Sequence, residues 1–359
     1  MHSDTLLSAG GFFYDKLKLI MGKKVSLKDI AEKVGVSTAL VSYVLNGLEK
    51  EKRVGQEVVA KIRQAAAELN YQPNQIARSL RKGSTNTIGL IVADIANPFF
   101  AHLSRIIEDE AIKYNYVVII GSSDENFAKS DSLVRTFLNR QVDGFIIVPA
   151  EGCSPQIGSL QEKEIPVVLI DRHFPVLSSN YIILDNYRAT FDATSYLIAN
   201  GCRRIEMIAY KTALIHMKER IRGYRDAVNA HSQTKGFVRV RELDFHQMEE
   251  QMDRIIGEMG KRQEADAVLF ATNALSIAGL YAIRKYQIRV PDQLSVIGFD
   301  GTEAFDFFNP QLTYIKQPLE EMGKEAVRVL SEQIKGTGKT VHVKLKHQLI
   351  CRDSCREKA

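Results

Sequence analysis

The stretch VSLKDIAEKVGVSTALVSYVLNG, residues 25–47, holds two short helical patterns separated by one glycine. Ser26 stands where an N-cap is needed, and Leu27, Ile30, Ala31 and Val34 follow at the 3.6-residue period. Gly35 falls where a helix stops and the backbone turns. Val36 fills the corner, and Ser37 caps a second helix with an apolar stripe of Val41, Val44 and Leu45. Thr38, Ala39, Ser42 and Tyr43 are left facing outward. Two helices joined by a tight Gly-containing turn make a helix-turn-helix. A third amphipathic helix, over 56–70, offers Val58, Ile62, Ala66 and Leu69 to close a three-helix core, after a charged loop over 48–54.

The rest of the chain sets limits around that stretch. Its 359 residues exceed one ordinary domain and suit two or three. A hydrophobic content of 45% with 25% charged residues is average for a folded soluble protein. No apolar run reaches the roughly 18 residues needed to cross a bilayer. Residues 1–21 lack the compact apolar core of a secretory signal, and are expected to be a disordered tail or a start-site artefact ahead of Met21. The cytoplasm is the expected compartment. Four scattered cysteines, Cys153, Cys202, Cys351 and Cys355, form no Cys-x-x-Cys set, so neither a disulfide framework nor a metal site is expected. The overall formal charge is +5, but residues 22–83 carry twelve Lys/Arg against six Asp/Glu. Positive charge gathered at one end is what neutralisation of phosphates requires.

Next comes YQPNQIARSLRKG, residues 71–83. Pro73 suits the first turn of a helix and Gly83 its end. A helix of barely two turns, with Arg78, Arg81 and Lys82 and the single leucine Leu80, is marginal alone. It reads as a hinge that becomes helical when something docks on it. Beyond Gly83, short apolar runs alternate with amphipathic helices. Strands are expected over 87–93, 116–122, 144–149, 166–171, 181–185, 204–210, 267–271 and 294–300, with helices such as 99–114, 128–140, 187–200, 247–260 and 319–335 between them. This pattern predicts α/β architecture: two parallel sheets, each covered by helices, in a two-lobed body. In such sheets ligands sit beyond the C-terminal strand ends. Here those ends carry Asp94, Ser122-Ser123-Asp124, Asp171-Arg172, Asp185-Asn186, Thr272-Asn273 and Asp300.

The helix-turn-helix, the hinge and the junction NTIGLIVADIANPFF together resemble the lactose/galactose repressor family of bacterial transcription regulators. The resemblance runs from about Met21 to about Asp353. It implies a small all-α head over 22–71, a hinge helix over 72–83, and a periplasmic-binding-protein-like body for effector binding and dimerisation over 84–359. The N-lobe would hold about 84–183 and 319–343, and the C-lobe about 184–318 and 344–359. It further implies that Ser37 and Ser42 contact phosphates, that Thr38, Ala39 and Tyr43 face bases in the major groove, and that Asn46 contacts the backbone. Leu80 would wedge into the minor groove, with Arg78 and Lys82 within reach of phosphates. In the body, Asn97, Phe99, Phe100, Asp171, Arg220, Phe245, Asn273 and Asp300 would surround the effector, a sugar or related metabolite. Two departures stand out in the head: Tyr43 replaces an arginine common in the family, and the loop after Gly47 is longer. A third is Ala274, where an aspartate is common.

The expected protein is a homodimeric, effector-controlled repressor of a near-palindromic double-stranded DNA operator, with pairing into tetramers left open. No membrane partner, cofactor or metal is expected. The chain has no Gly-x-Ser-x-Gly elbow, phosphate loop or His-Glu-x-x-His site, so an enzyme is not expected. The alternatives weighed are a periplasmic-type solute-binding protein, a sugar kinase or hydrolase on a Rossmann-like sheet, and a regulator that activates.

Overall fold

The computed structural model describes residues 25–72, 83–231, 234, 237–262 and 264–357. It divides into two compact units, Met1–Gly83 and Ser84–Ala359. In the first unit, helix α1 (Leu27–Val34) starts with a full capping box. The Ser26 hydroxyl accepts from the Asp29 amide, and the Asp29 carboxylate accepts from the Ser26 amide at 2.7 Å. Gly35 ends the helix at φ 75°, a conformation that only glycine adopts without strain. Helix α2 (Thr38–Leu45) begins on Ser37, whose hydroxyl accepts from the Leu40 amide at 3.2 Å. Helix α3 (Gln56–Glu68) completes a core of Ile30, Ala31, Val41, Val44, Val59, Ile62 and Ala65. The face of α3 is rotated relative to the sequence expectation. Val59 and Ala65 are buried, whereas Val58, Ala66 and Leu69 pack only at the margin. The apolar residues of α3 permit two neighbouring phases, and packing against α1 and α2 selects the one with Val59, Ile62 and Ala65 inward.

The second unit contains two six-stranded sheets. The first is built from β1 (Thr87–Val92), β2 (Val117–Ser122), β3 (Gly144–Ile147), β4 (Val167–Ile170), β5 (Asn180–Leu184) and β11 (His342–Leu345). Its order is β11-β5-β4-β3-β1-β2 and every pairing is parallel. The second is built from β6 (Ile205–Tyr210), β7 (Arg239–Leu243), β8 (Ala267–Phe270), β9 (Ser295–Phe299), β10 (Thr313–Lys316) and β12 (Gln348–Ile350). Its order, β12-β10-β9-β8-β6-β7, repeats that of the first sheet, except that β12 runs antiparallel. The strands β1, β3, β4, β6, β8 and β9 are buried almost throughout, as continuous apolar runs such as Val167–Ile170 require. Four strands escape the sequence pattern: β7, β10, β11 and β12 are short or polar, and their pairing partners define them.

Helices cover both sheets. On the first sheet lie α4 (Pro98–Lys113), α5 (Phe127–Asn139) and α6 (Ser154–Glu162). On the second lie α7 (Asn186–Ala199), α8 (Ile215–Ala230), α9 (Met248–Arg262), α10 (Asn273–Lys285) and the short α11 (Glu303–Phe307). Helix α12 (Leu319–Ile334) follows β10 of the second sheet but packs on α4 of the first. The chain therefore passes between lobes near 185, near 318 and near 346, and the two lobes face one another across a cleft.

Candidate functional site

In the first unit the outward face of α2 is open. Ser37, Thr38 and Ala39 are exposed, while Ser42, Tyr43 and Asn46 are half-buried. Asn46 folds back on α2, donating from its amide to the Ser42 carbonyl at 2.6 Å and to the Ser42 hydroxyl at 3.2 Å. Those two predicted contact residues thus form one polar unit at the helix end. The long loop leans on the same end, for the Lys52 ammonium lies 5.9 Å from the centre of the Tyr43 ring. Glu49 anchors that loop through Arg63 at 2.7 Å. Arg78, Leu80 and Lys82 lie outside the described residues, as does the tail over 1–21.

In the second unit, strand ends from both lobes enclose a cavity of about 290 Å³. All eight body residues singled out in the sequence line it: Asn97, Phe99, Phe100, Asp171, Arg220, Phe245, Asn273 and Asp300. Asn97 caps α4 by accepting from the Phe99 amide at 3.0 Å, which turns the following Phe99 and Phe100 inward as an edge-to-face pair. Asp171 and Asp300 occupy matching places after β4 and β9, both in left-handed backbone (φ 67° and 59°). Phe245 lies beside Tyr210, with ring centroids 5.4 Å apart.

Arg220 is held by protein groups on three sides. Its Nε donates to Asn186 Oδ1 at 2.7 Å and one terminal nitrogen donates to the Ala271 carbonyl at 2.6 Å. The guanidinium stacks 3.8 Å from the Phe299 ring centre. Helix α8 reaches this position because Gly223 lets it press against α7, where an added Cβ would meet the Tyr187 carbonyl oxygen at 2.1 Å. The Thr190 hydroxyl then donates to the Arg220 carbonyl at 2.7 Å.

The carboxylates are treated unequally. Burial pushes Asp300 up to about 7, against the opposing pull of Arg220 and the Gln317 amide that donates to it at 2.9 Å. Asp171 instead faces Arg172, whose Nε lies 3.3 Å from its Oδ2. Burial pulls the Arg172 guanidinium down, but Glu125 and then Asp171 outweigh it and the net direction is upward. Arg172 and Glu125 form a bidentate pair at 2.6 and 2.7 Å.

Sequence reading missed several cavity residues. Glu125 is paired with an arginine 47 positions away, a relation no spacing rule carries. Tyr210, Lys211 and Thr212 were reachable, because they end β6 just as Asp171 ends β4. Glu151 spans the cleft from the end of the β3 loop, accepting from the Thr212 hydroxyl at 2.7 Å and the Ala213 amide at 3.2 Å. His216 carries no strand-end signal, since it sits inside the first turn of α8. Among the described residues, no group of three or more His, Cys, Asp or Glu could hold a metal ion, and no helix is long and apolar enough to cross a membrane.

Comparison with known proteins agrees with both units. Residues 26–74 match the model for bacterial regulatory proteins of the lacI family, and residues 194–355 match the periplasmic binding protein-like domain. The HTH-type transcriptional repressor PurR of Aliivibrio fischeri is 33% identical over 316 residues, which cover 86% of this chain and 92% of the relative. A LacI family transcriptional regulator from Enterococcus faecium, solved with bound ribose, superposes with a TM-score of 0.66 at 25% identity, over 76% of this chain and 99% of that one. The lac repressor dimer bound to operator shares the fold, with a TM-score of 0.82 at 24% identity over 93% of this chain and all of its own.

Proposed function

The chain belongs to the lacI family of bacterial regulatory proteins, and from that premise we propose how this DNA-binding transcriptional regulator works. It is a repressor that acts in the cytoplasm, where operator DNA lies. Residues 22–71 form the head and 72–83 the hinge helix, and the body over 84–359 takes the effector. Ser37 and Ser42 hold phosphates, Thr38, Ala39 and Tyr43 meet base edges, and Asn46 contacts the DNA backbone. Arg78 and Lys82 hold phosphates on either side of the Leu80 wedge. Tyrosine has no bidentate fork for guanine, so the base opposite Tyr43 differs from the one an arginine would select.

The protein acts as a homodimer. Strand β2 is an unpaired sheet edge with Val117 and Ile120 exposed, and Ile112 of α4 is exposed as well. An apolar sheet edge invites a covering chain, and a second copy supplies the two heads that a near-palindromic operator requires.

One observation carries the effector reading: side chains from both lobes, between Asp94 and Asp300 in sequence, converge on one cavity that mixes polar groups with apolar walls. Its five carboxylates, Asp94, Glu125, Glu151, Asp171 and Asp300, outnumber the cations Arg172, Lys211 and Arg220. Arg172 is already matched by Glu125. The cavity therefore suits a neutral polyol with an apolar face for Phe99 and Phe245, and repels a phosphorylated one. D-ribose is the first candidate. Binding without turnover is the expected outcome, as for a regulator.

The test is a thermal-shift series on the full chain with D-ribose, D-ribose 5-phosphate, hexoses and purines. A neutral sugar should raise Tm and release operator DNA in a mobility-shift assay. Stabilisation by purines alone would overturn the polyol reading, and no retention of any operator fragment from a selection library would overturn the regulator reading.

A further inference from the structure

The loop that joins α2 to α3 is charged, hydrogen-bonded and set beside Tyr43. Residues 49–53 read Glu-Lys-Glu-Lys-Arg, three cations against two acids. Backbone bonds fold the loop on itself. The Lys52 amide donates to the Leu48 carbonyl at 2.9 Å, and the Val54 amide to the Glu49 carbonyl at 2.8 Å. Both ends are tied down: the Leu48 amide donates to the Tyr43 carbonyl at 2.9 Å, and Val54 packs against the three-helix core. The loop therefore has a defined place at the C-terminal end of α2. Its charges are sorted. The Glu49 side chain, only 20% exposed, turns to α3 and accepts from Arg63 at 2.7 Å. Glu51 pairs with Lys52 at 2.8 Å, and the Lys52 ammonium faces the Tyr43 ring. Lys50 and Arg53 are exposed and, among the described residues, stand in no ion pair. Both acids are thus matched, and two cations are left open to solvent. Arg53 has left-handed backbone, at φ 51°, which glycine takes without strain and arginine rarely adopts. The fold alone gives no reason for a cation there. A helix lying in a major groove has a phosphate wall on each side, and cations at its end meet that wall.

We propose that the loop over 48–54 is a second DNA-contacting element of the head, in which Lys50 and Arg53 neutralise phosphates beside the base pair that Tyr43 meets. Lys52 ties the loop to the Tyr43 ring and so keeps the two contacts in register. This rests on the reading of α2 as the base-reading helix and extends the interface beyond α2. The occupant is the backbone of duplex DNA, because the two free cations continue the face that α2 presents. Phosphate contacts carry no sequence information, so the loop adds affinity on any duplex and leaves the choice of base to α2.

The test uses the full chain, an operator duplex taken from a selection library and a scrambled duplex of equal length, each titrated at several salt concentrations. One double variant, Lys50→Gln with Arg53→Gly, removes both charges and suits the backbone at 53. Another, Lys50→Arg with Arg53→Lys, keeps them. In the first, the slope of log affinity against log salt should become shallower by about 1.8, about 0.9 for each phosphate. At about 0.1 M salt its affinity should fall at least about tenfold on both duplexes, with Tm unchanged or raised. The charge-keeping variant should keep the parent slope, and so should Lys163→Gln, which removes an exposed cation from the body. A parent-like slope in the neutral variant overturns the proposal. So does an equal slope loss in the charge-keeping variant, a loss confined to the operator duplex, or a Tm drop of several degrees in the neutral variant. If the parent retains no duplex from the library, the DNA reading of α2 fails and the loop with it. A parent that binds its operator while the neutral variant keeps the same slope defeats the loop alone.

Discussion

The head and the cleft keep structure and recognition apart to different degrees. In α2, Val41 and Val44 hold the fold from the inner face, while Thr38 and Ala39 lie exposed on the outer one. If the outer face reads DNA as proposed, a change there alters the reading and leaves the core in place. In the cleft the atoms proposed for recognition also hold the fold. Arg220 ties α8 to Asn186 and to the end of β8, and Asn273 holds the Asp300 carbonyl. The cavity is preorganised because its lining is also its scaffold, and so a change there disturbs affinity and stability together. A helix surface can diversify cheaply, whereas an enclosed cavity cannot.

The largest expected effect is at Arg220. Arg220→Ala should lower effector affinity at least about a hundredfold and cost about 3 kcal/mol of stability, because buried hydrogen bonds to a charged group are lost together. Operator binding should persist. Retained induction, or lost affinity at unchanged Tm, would break the comparison.

The next effect is on pH dependence. Asp300 has its carboxyl raised from 3.8 to about 7 in the folded protein. The folded state thus binds that proton more tightly than the unfolded chain does. The stability it contributes is present at acid pH and is lost as pH rises through about 7. Asp300→Asn should flatten the decline of Tm between about pH 4 and 7. Parallel slopes for parent and variant would show that the group does not titrate there.

The smallest effect on stability belongs to the head. Tyr43→Ala should change stability by no more than about 1 kcal/mol while altering base preference at one operator position, read by binding-site selection. An unaltered selection profile would remove Tyr43 from readout, and a large Tm drop would place it with the scaffold.

Legibility followed the same division. Capping at Ser26 and Ser37, the turn at Gly35 and the stripe of α2 were readable because the interactions span three or four residues. Only the rotation of α3 was misplaced, since its apolar residues permit two neighbouring phases. In the body the eight strands with continuous apolar runs were readable, and so were cleft residues at their C-terminal ends. Strands β7, β10, β11 and β12 were not, because a short polar strand is defined by its neighbour. The Arg172–Glu125 pair, the Glu151 bridge and His216 were equally hidden.

The sequence by itself determined the helix-turn-helix, the alternating strand and helix pattern, and the polar character of the strand ends. Each rests on periodicity and capping within a few residues. The tertiary structure alone decided which of those ends meet, that Asp171 gains an arginine while Asp300 is left buried among weaker partners, and that His216 is buried beside the cavity. Pairing and desolvation depend on distances between residues far apart in the chain, and those distances exist only once both sheets have folded.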